Sequence, residues 1–147
     1  MGKTIMGVLG LVCVATASGC ASMSDVTRTH EDHGGTAAVY ATTEEAAWSA
    51  VHDVLQKEGA DAVEEKREER ALYASFGMSF WTYGTVFGAW IEPVDATHVR
   101  VTAVSKRKYA LSFATDLTET TFHRELARAI VSGKAKQATA AAHASTP

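Results

Sequence analysis

Two histidines that flank two acidic residues form the one group in this sequence with the ligand types of a metal site. The segment is His30-Glu31-Asp32-His33. Neutral imidazole is a good ligand for borderline metals such as Zn²⁺ or Ni²⁺. A closed site would need further ligands, and the spacing differs from the His-Glu-x-x-His pattern of zinc proteases. We expect a solvated acidic segment here and no cofactor, with His30 and His33 as the metal candidates.

Side chains that could form a nucleophile and its base are scarce. Ser49 and His52 stand three positions apart and Asp53 follows them, but neighbours on one helix rarely present the angles of a catalytic triad. The nearby residues His123 and Glu125 likewise give no reason to expect a catalytic site. The glycines form neither a Walker motif nor a G-x-G-x-x-G pattern after a strand. We therefore expect a protein that is not an enzyme.

Cys20 closes a segment with the composition of a secretory signal peptide. Lys3 supplies one positive charge, residues 5–17 form an apolar run, and small residues precede Cys20. The run is shorter than the about 20 residues that a membrane-spanning helix needs. We expect residues 1–19 to be removed after export.

The ending Ala17-Ser18-Gly19-Cys20 resembles the lipobox of bacterial lipoproteins. The resemblance implies cleavage before Cys20 and fatty acyl chains, such as palmitate, on its sulfur and its new amino group. Several chains bind a membrane firmly, because each buried methylene contributes about 0.8 kcal/mol. Ala21 is not acidic, which by analogy with enterobacterial lipoproteins implies the outer membrane, with the protein facing the periplasm. A secreted soluble periplasmic protein is the alternative.

The composition excludes two further classes of protein. The formal net charge is −3, so the chain gives no reason to expect nucleic-acid binding. The chain has two cysteines, and Cys13 lies in the segment that we expect to be removed. Cys20 is then left without a partner for an internal disulfide, and a Cys₄ or Cys₂His₂ zinc site is excluded.

The mature chain is expected to consist of a tether, a domain and a tail. Residues 20–35 are polar and lack periodicity, which is typical of a flexible tether. Residues 36–132 carry the periodic apolar patterns of an α+β domain. Residues 133–147 have low complexity and few large apolar side chains. We expect this tail to be disordered, because it cannot bury enough surface to offset its ordering entropy.

Two helices are predicted from caps followed by apolar stripes. Thr42 and Glu45 fit a capping box and open a helix that stops near Gly59. A second helix begins near Asp116 and ends at Gly133. The side chains that these helices should bring to the core are Trp48, Val51, Leu55, Phe122, Leu126 and Ile130.

The other periodic segments predict strands. They lie at residues 36–40, 61–66, 71–76, 85–92 and 98–104, with a break at 77–79. The resulting order is β-α-β-β-β-β-α, which predicts an α+β fold with an antiparallel sheet of four to five strands. Both helices are expected on one face, as in helix-grip domains, and the opposite face would be open to water or to a partner.

An aromatic segment and a basic segment could serve as interaction surfaces. Exposed rings of Phe80, Trp81 and Tyr83 would mark a recognition loop or a membrane-touching loop, and packing over the end of the sheet is the alternative. The run Lys106-Arg107-Lys108 is a compact basic patch that would meet lipid head groups or an anionic cell-wall polymer. Its alternative is a solvated strand end whose charges prevent edge pairing.

The segment from about residue 39 to residue 130 resembles a group of small, uncharacterised bacterial lipoproteins. The resemblance is carried by residues 40–48 (Tyr-Ala-Thr-Thr-Glu-Glu-Ala-Ala-Trp), Gly84, Ile91-Glu92-Pro93, Val99-Arg100-Val101 and residues 104–108 (Val-Ser-Lys-Arg-Lys). The arrangement is also similar to the helix-grip modules in the C-subunit lipoprotein of the outer-membrane β-barrel assembly machine. The resemblance implies a non-enzymatic binding or scaffolding module that holds another component of the cell envelope. A small cell-wall-directed enzyme and a metal or ligand sensor that uses His30 and His33 are the alternatives.

Overall fold

The computed structural model describes residues 21–79, 82–107 and 117–144, with the backbone alone at 78–79, 82–83 and 135–144. In chain order the elements are α1 (Met23–Glu31), β1 (Thr36–Ala41), α2 (Glu44–Lys57), β2 (Ala62–Lys66), a 3₁₀ turn (Arg67–Glu69), β3 (Ala71–Ser79), β4 (Thr82–Pro93), β5 (His98–Arg107) and α3 (Glu119–Ala144). None of the helices in the described ranges has the length and apolar character that crossing a bilayer requires.

The strands form one antiparallel sheet in the order β1-β5-β4-β3-β2. The last four strands follow one another along the chain as neighbours, while α2 carries the chain from β1 at one edge to β2 at the other. The predicted α+β fold with an antiparallel sheet is confirmed, and the sheet has five strands. β4 lies at its centre, where both faces are covered, in agreement with its apolar sequence.

α2 and α3 pack against one face of the sheet, called the first face below. Their buried side chains include those that the sequence predicts, namely Trp48, Val51, Leu55, Phe122, Leu126 and Ile130. The strands present alternate residues to these helices, because successive side chains of a strand point to opposite faces. Phe87 of β4 is one of them, and its ring centroid lies 4.8 Å from that of Phe122.

α1 covers part of the opposite face, called the second face below, where the sequence predicts a flexible tether. That prediction is wrong for the described part of residues 20–35, because Val26 is fully buried. The first turn is closed by the Asp25 carboxylate, which accepts a hydrogen bond from the backbone N–H of Ser22 at 2.8 Å. The buried cluster on this face consists of Val26, Ala71, Tyr73, Val86, Trp90 and Val104.

Gly88 makes room for α1 on the second face. A Cβ at this position would lie 2.7 Å from Val26 Cγ1 and 2.7 Å from Trp90 Cη2. Any larger residue would push α1 away from the sheet or displace the indole ring. The glycine inside the apolar sequence of β4 is therefore required by the close approach of α1.

The starts of two helices differ from the prediction. Thr43 rather than Thr42 caps α2, and its side chain accepts a hydrogen bond from a backbone N–H of the first turn. Thr42 is buried instead. α3 begins at Glu119 after Thr118, whose hydroxyl accepts a hydrogen bond from the first turn, and the predicted cap Asp116 lies outside the described residues.

α3 continues through Gly133 to Ala144, where the sequence predicts the end of the helix and a disordered tail. That prediction is wrong for residues 133–144, and residues 145–147 lie outside the described ranges. Alanine is the best helix former, and one glycine inside a helix costs only about 1 kcal/mol. An alanine-rich segment can therefore extend a packed helix. With α1 and this extension, the ordered unit is longer than the predicted domain of residues 36–132.

β3 is continuous to Ser79, where the sequence predicts a break at residues 77–79. Ser79 pairs with Thr82 across the hairpin. A Cβ at Gly77 would meet the carboxylate of Asp61, the end of an exposed side chain that can move aside. The glycine therefore does not end the strand, which continues to Ser79.

Candidate binding groove

His30 packs against the sheet. Its ring stacks on Trp90 with the centroids 3.9 Å apart, and its Nδ1 is buried with no hydrogen-bond partner among the described residues. Burial lowers the pKa of His30, and the negative charge of Glu92 opposes this shift. His33 lies beyond the helix end with a φ of 59°. Within residues 21–79, 82–107 and 117–144, no three His, Cys, Asp or Glu side chains are grouped as a metal site requires.

Lys106 and Arg107 do not form one patch. β5 continues to Arg107, and Lys106 pairs with Val86 while Arg107 pairs with Thr85. Because side chains alternate along a strand, Lys106 lies on the second face and Arg107 on the first. The predicted compact patch is therefore wrong for these two residues, and Lys108 lies outside the described ranges.

The aromatic segment is described only in part. Tyr83 belongs to β4, paired with Met78, so its backbone is in a strand rather than in a connecting loop. Phe80 and Trp81 lie outside the described residues, as does the predicted lipidation site Cys20. An interaction through Phe80 and Trp81 stays a prediction.

A groove of about 380 Å³ opens between α2 and α3 on the outer side of the first face. This volume lies within the range of about 300–1,000 Å³ that is typical of small-molecule sites. Ala50 and Ile130, which are buried in the core, form part of its floor. The apolar core therefore reaches an opening between the two helices in this groove.

Small residues on both helices make the groove deep. Ala46 lines it from α2, and Ala129 and Gly133 line it from α3. Nothing lies within 4 Å of the position that a Cβ of Gly133 would take. This glycine costs the helix about 1 kcal/mol relative to alanine, and its visible effect is to leave space in the groove.

Polar side chains surround the apolar floor. Ser49 and Asp53 line the groove from α2, and Lys134 lines it from α3. His52 does not line it, so the three neighbours Ser49, His52 and Asp53 do not converge on one point. The arrangement can hold an apolar group on the floor and orient its polar end by hydrogen bonds. At one end of the groove the Thr97 hydroxyl lies 3.0 Å from His98 Nδ1.

The turn between β4 and β5 closes one end of the groove through Thr97 and His98. The Asp95 carboxylate accepts hydrogen bonds from the backbone N–H of Thr97 at 2.7 Å and from its hydroxyl at 2.9 Å. His98 Nδ1 lies 3.0 Å from the same carboxylate. The backbone hydrogen bond from Thr97, and after it the contact with His98, lower the pKa of Asp95 to about 2. The carboxylate therefore stays charged and keeps the turn ordered at ordinary pH.

Charged side chains join the two helices beyond the other end of the groove. Glu125 of α3 accepts hydrogen bonds from Lys57 of α2 at 3.2 Å and from Arg128 at 2.6 Å. The hydrogen bond from Lys57 is the main cause of the lowered pKa of Glu125. Surface pairs of this kind contribute about 0–1 kcal/mol. Their effect here is to hold the helices together at one end while small residues leave them apart at the other.

A second depression, of about 460 Å³, lies between α1 and the β2–β3 hairpin. Its walls are charged, and Lys66 Nζ lies 3.7 Å from Glu64 and 3.8 Å from Glu69. Lys66 is therefore already paired with two carboxylates of this depression. The groove between α2 and α3, with its apolar floor, is the better candidate for a binding site.

Tyr40 and His123 join β1 to α3, a contact that the sequence gives no reason to expect. The Tyr40 hydroxyl donates a hydrogen bond to the His123 carbonyl at 3.2 Å and lies 2.7 Å from His123 Nδ1, and His123 Nε2 donates to the Thr36 carbonyl at 2.8 Å. Burial raises the pKa of Tyr40 to about 12. Since β1 is an edge strand, His123 also covers part of an edge that would otherwise be open to pairing.

A scan against models of protein families and a search of curated proteins each find no match to this chain.

Proposed function

We propose that this chain is a lipid-anchored protein of the cell envelope whose domain binds another envelope component without catalysing a reaction. The groove between α2 and α3 is the observation that carries the proposal. It combines a floor of core residues with small walls and a polar rim, which is the usual composition of a binding site. The signal-like segment before Cys20 supports export and lipid attachment.

The groove favours an apolar side chain or a short apolar segment of the partner. Ala46, Ala129 and Gly133 leave a slot that a large side chain of a neighbouring molecule can enter. Asp53 and Lys134 at the rim offer one negative and one positive charge to polar groups on either side of that segment. The predicted partner is therefore amphipathic, with an apolar anchor between polar neighbours.

A photo-crosslinking amino acid at Ser49 is expected to capture this component in intact cells, because Ser49 is exposed and lines the groove. Adding Gly133→Leu is expected to remove the crosslinked product. The leucine side chain would fill the slot, and its Cβ meets nothing within 4 Å. The products are measured by the shift of the protein on a denaturing gel and identified by mass spectrometry.

Gly133→Ala is the matched control, since it adds one carbon and leaves most of the slot open. The same crosslinker at Gln56, an exposed position of α2 outside the groove, reports nonspecific capture. Equal products from positions 49 and 56, or a position-49 product that Gly133→Leu leaves unchanged, would contradict binding in the groove. Unfolding curves of both variants check that they are folded.

The intact mass of the membrane-extracted protein tests the anchor. We expect the mass of a chain that begins at Cys20 and carries acyl groups. Cys20→Ser is expected to lose the acyl mass, because the sulfur that would carry the first acyl-bearing group is no longer present. An unmodified mature chain in the soluble fraction of the wild type would refute lipid attachment.

A further inference from the structure

α1 is packed on the sheet from its beginning. Ala21 and Met23 are partly buried against the cluster on the second face that contains Val86 and Trp90. Ala21 follows Cys20 directly in the sequence, and consecutive Cα atoms are about 3.8 Å apart. An acyl chain on Cys20 would therefore connect the bilayer to the body of the domain without slack chain between them.

The contacts of α1 define the direction in which it crosses the sheet. Val26 lies against Gly88, and one turn later His30 stacks on Trp90. The helix thus advances along β4 from Gly88 toward the end of that strand, and the residues before Val26 lie on the side of Val86. The first turn of α1, next to Cys20, therefore lies at about the level of Val86, on the side of α1 that is nearer the end of the sheet where β3 and β4 form their hairpin.

This end, called the hairpin end, is remote from the groove. Lys106 pairs with Val86 at the hairpin end, while His98 lines the groove at the other end of β5. The two residues are separated along the strand by roughly 27 Å, at about 3.4 Å per residue. The anchor, at the level of Val86, and the groove, at the level of His98, thus lie toward opposite ends of the sheet.

We infer that the hairpin end rests on the phospholipid surface that holds Cys20, and that the groove between α2 and α3 faces away from this surface. The inference rests on the acylation of Cys20 in the proposed function. A flexible tether of residues 20–35 would have allowed every orientation. The packing of Ala21 and Met23 removes that freedom, because the attachment point cannot leave the bilayer while α1 stays on the sheet.

The charges at the hairpin end are compatible with a lipid surface but do not by themselves provide the attachment. Lys106 and Arg107 lie there on opposite faces of β5. Asp25 is paired with Arg28, and Asp61 adds an exposed negative charge near the start of β2. Because the signs are mixed, the acyl anchor and the rigid start of α1 determine the orientation.

Fluorescent labels at the two ends test the orientation in the acylated full-length mature protein. Asp61→Cys places the label at the hairpin end, and Val94→Cys, at a residue that is 51% exposed, places it in the turn beside the groove. Acylated Cys20 leaves no competing thiol in the mature chain. In vesicles of phosphatidylethanolamine and phosphatidylglycerol that carry a headgroup nitroxide, we expect quenching to be several-fold stronger at position 61 than at position 94.

A glycine–serine linker inserted between Cys20 and Ala21 is the control, and it should make quenching at the two positions nearly equal. Equal quenching without the linker, or stronger quenching at position 94, overturns the inference. The inference is also overturned if the label at position 61 is shielded only when purified peptidoglycan is present, because that end of the domain would then face the cell wall. If the wild-type protein is not acylated, the proposed function itself is wrong. The mass measurement distinguishes that outcome from a wrong orientation of an acylated protein.

Discussion

Replacing Phe122 by alanine is expected to lower the free energy of unfolding by about 3–5 kcal/mol, the usual cost of removing a buried phenyl ring. Phe122 is fully buried at the contact between α3 and the sheet, and its ring lies 4.8 Å from that of Phe87. The cavity would be left beneath α3, the helix that forms one wall of the groove. Chemical denaturation followed by tryptophan fluorescence or circular dichroism measures the loss.

Val131→Ala is the control for this substitution. Val131 lies on the same helix, but its side chain is 68% exposed. Its truncation is expected to change the free energy of unfolding by less than about 0.5 kcal/mol. If Phe122→Ala costs no more than this control, α3 does not pack on the sheet as described, and the groove loses its physical basis.

Replacing Val26 by aspartate is expected to detach α1 from the second face. The substitution puts an unpaired charge at a position that is fully buried, which costs several kcal/mol. The core on the first face does not include Val26, so the sheet with α2 and α3 is expected to stay folded. Since each 1.4 kcal/mol is a factor of about ten, amide hydrogen exchange in α1 should accelerate by about a hundredfold or more.

Ser24→Asp is the matched control, because it adds the same charge to an exposed position in the first turn of the same helix. A negative charge near a helix N-terminus is slightly favourable, so α1 should stay protected. Trypsin cleavage after Arg28 gives a second measurement, fast in Val26→Asp and slow in Ser24→Asp. Similar exchange in the two variants would show that α1 is not held by Val26.

The Val26 variant also bears on the orientation of the domain. Once α1 is detached, residues 21–35 would act as the flexible tether that their polar composition first predicts. A flexible chain of this length has a mean end-to-end distance of about 20 Å, so the domain could then turn freely above the bilayer. The difference in quenching between positions 61 and 94 should disappear, as it does with the inserted linker.

The sequence by itself determined the elements whose apolar pattern is wide and regular. α2 shows Trp48, Val51 and Leu55 on one stripe, and all three are buried. In β5, Val99 and Val101 alternate with polar residues and face the helices. Patterns of this kind are sufficient because the spacing of the buried side chains indicates whether a segment is a helix or a strand, whichever elements pack against it. They were enough to predict the α+β class and the helical part of the core.

α1 was missed because its apolar stripe consists of Met23 and Val26 alone. A helix with so little apolar surface is not stable in isolation and depends on its packing partner. That partner is a gap in the sheet at Gly88, which lies far away in the sequence. The capping pair Ser22 and Asp25 was the one local signal for this helix.

The basic patch and the groove were decided by the tertiary structure. Lys106 and Arg107 are neighbours in sequence, but the continuation of β5 puts them on opposite faces. The walls of the groove are separate in sequence: Ala46 belongs to α2 and Gly133 to α3, and only the packing of both helices on one sheet brings them together. Periodicity describes which side of an element is buried. The position of a gap between two elements depends on the sizes of the side chains that meet there. The fold determines which side chains meet.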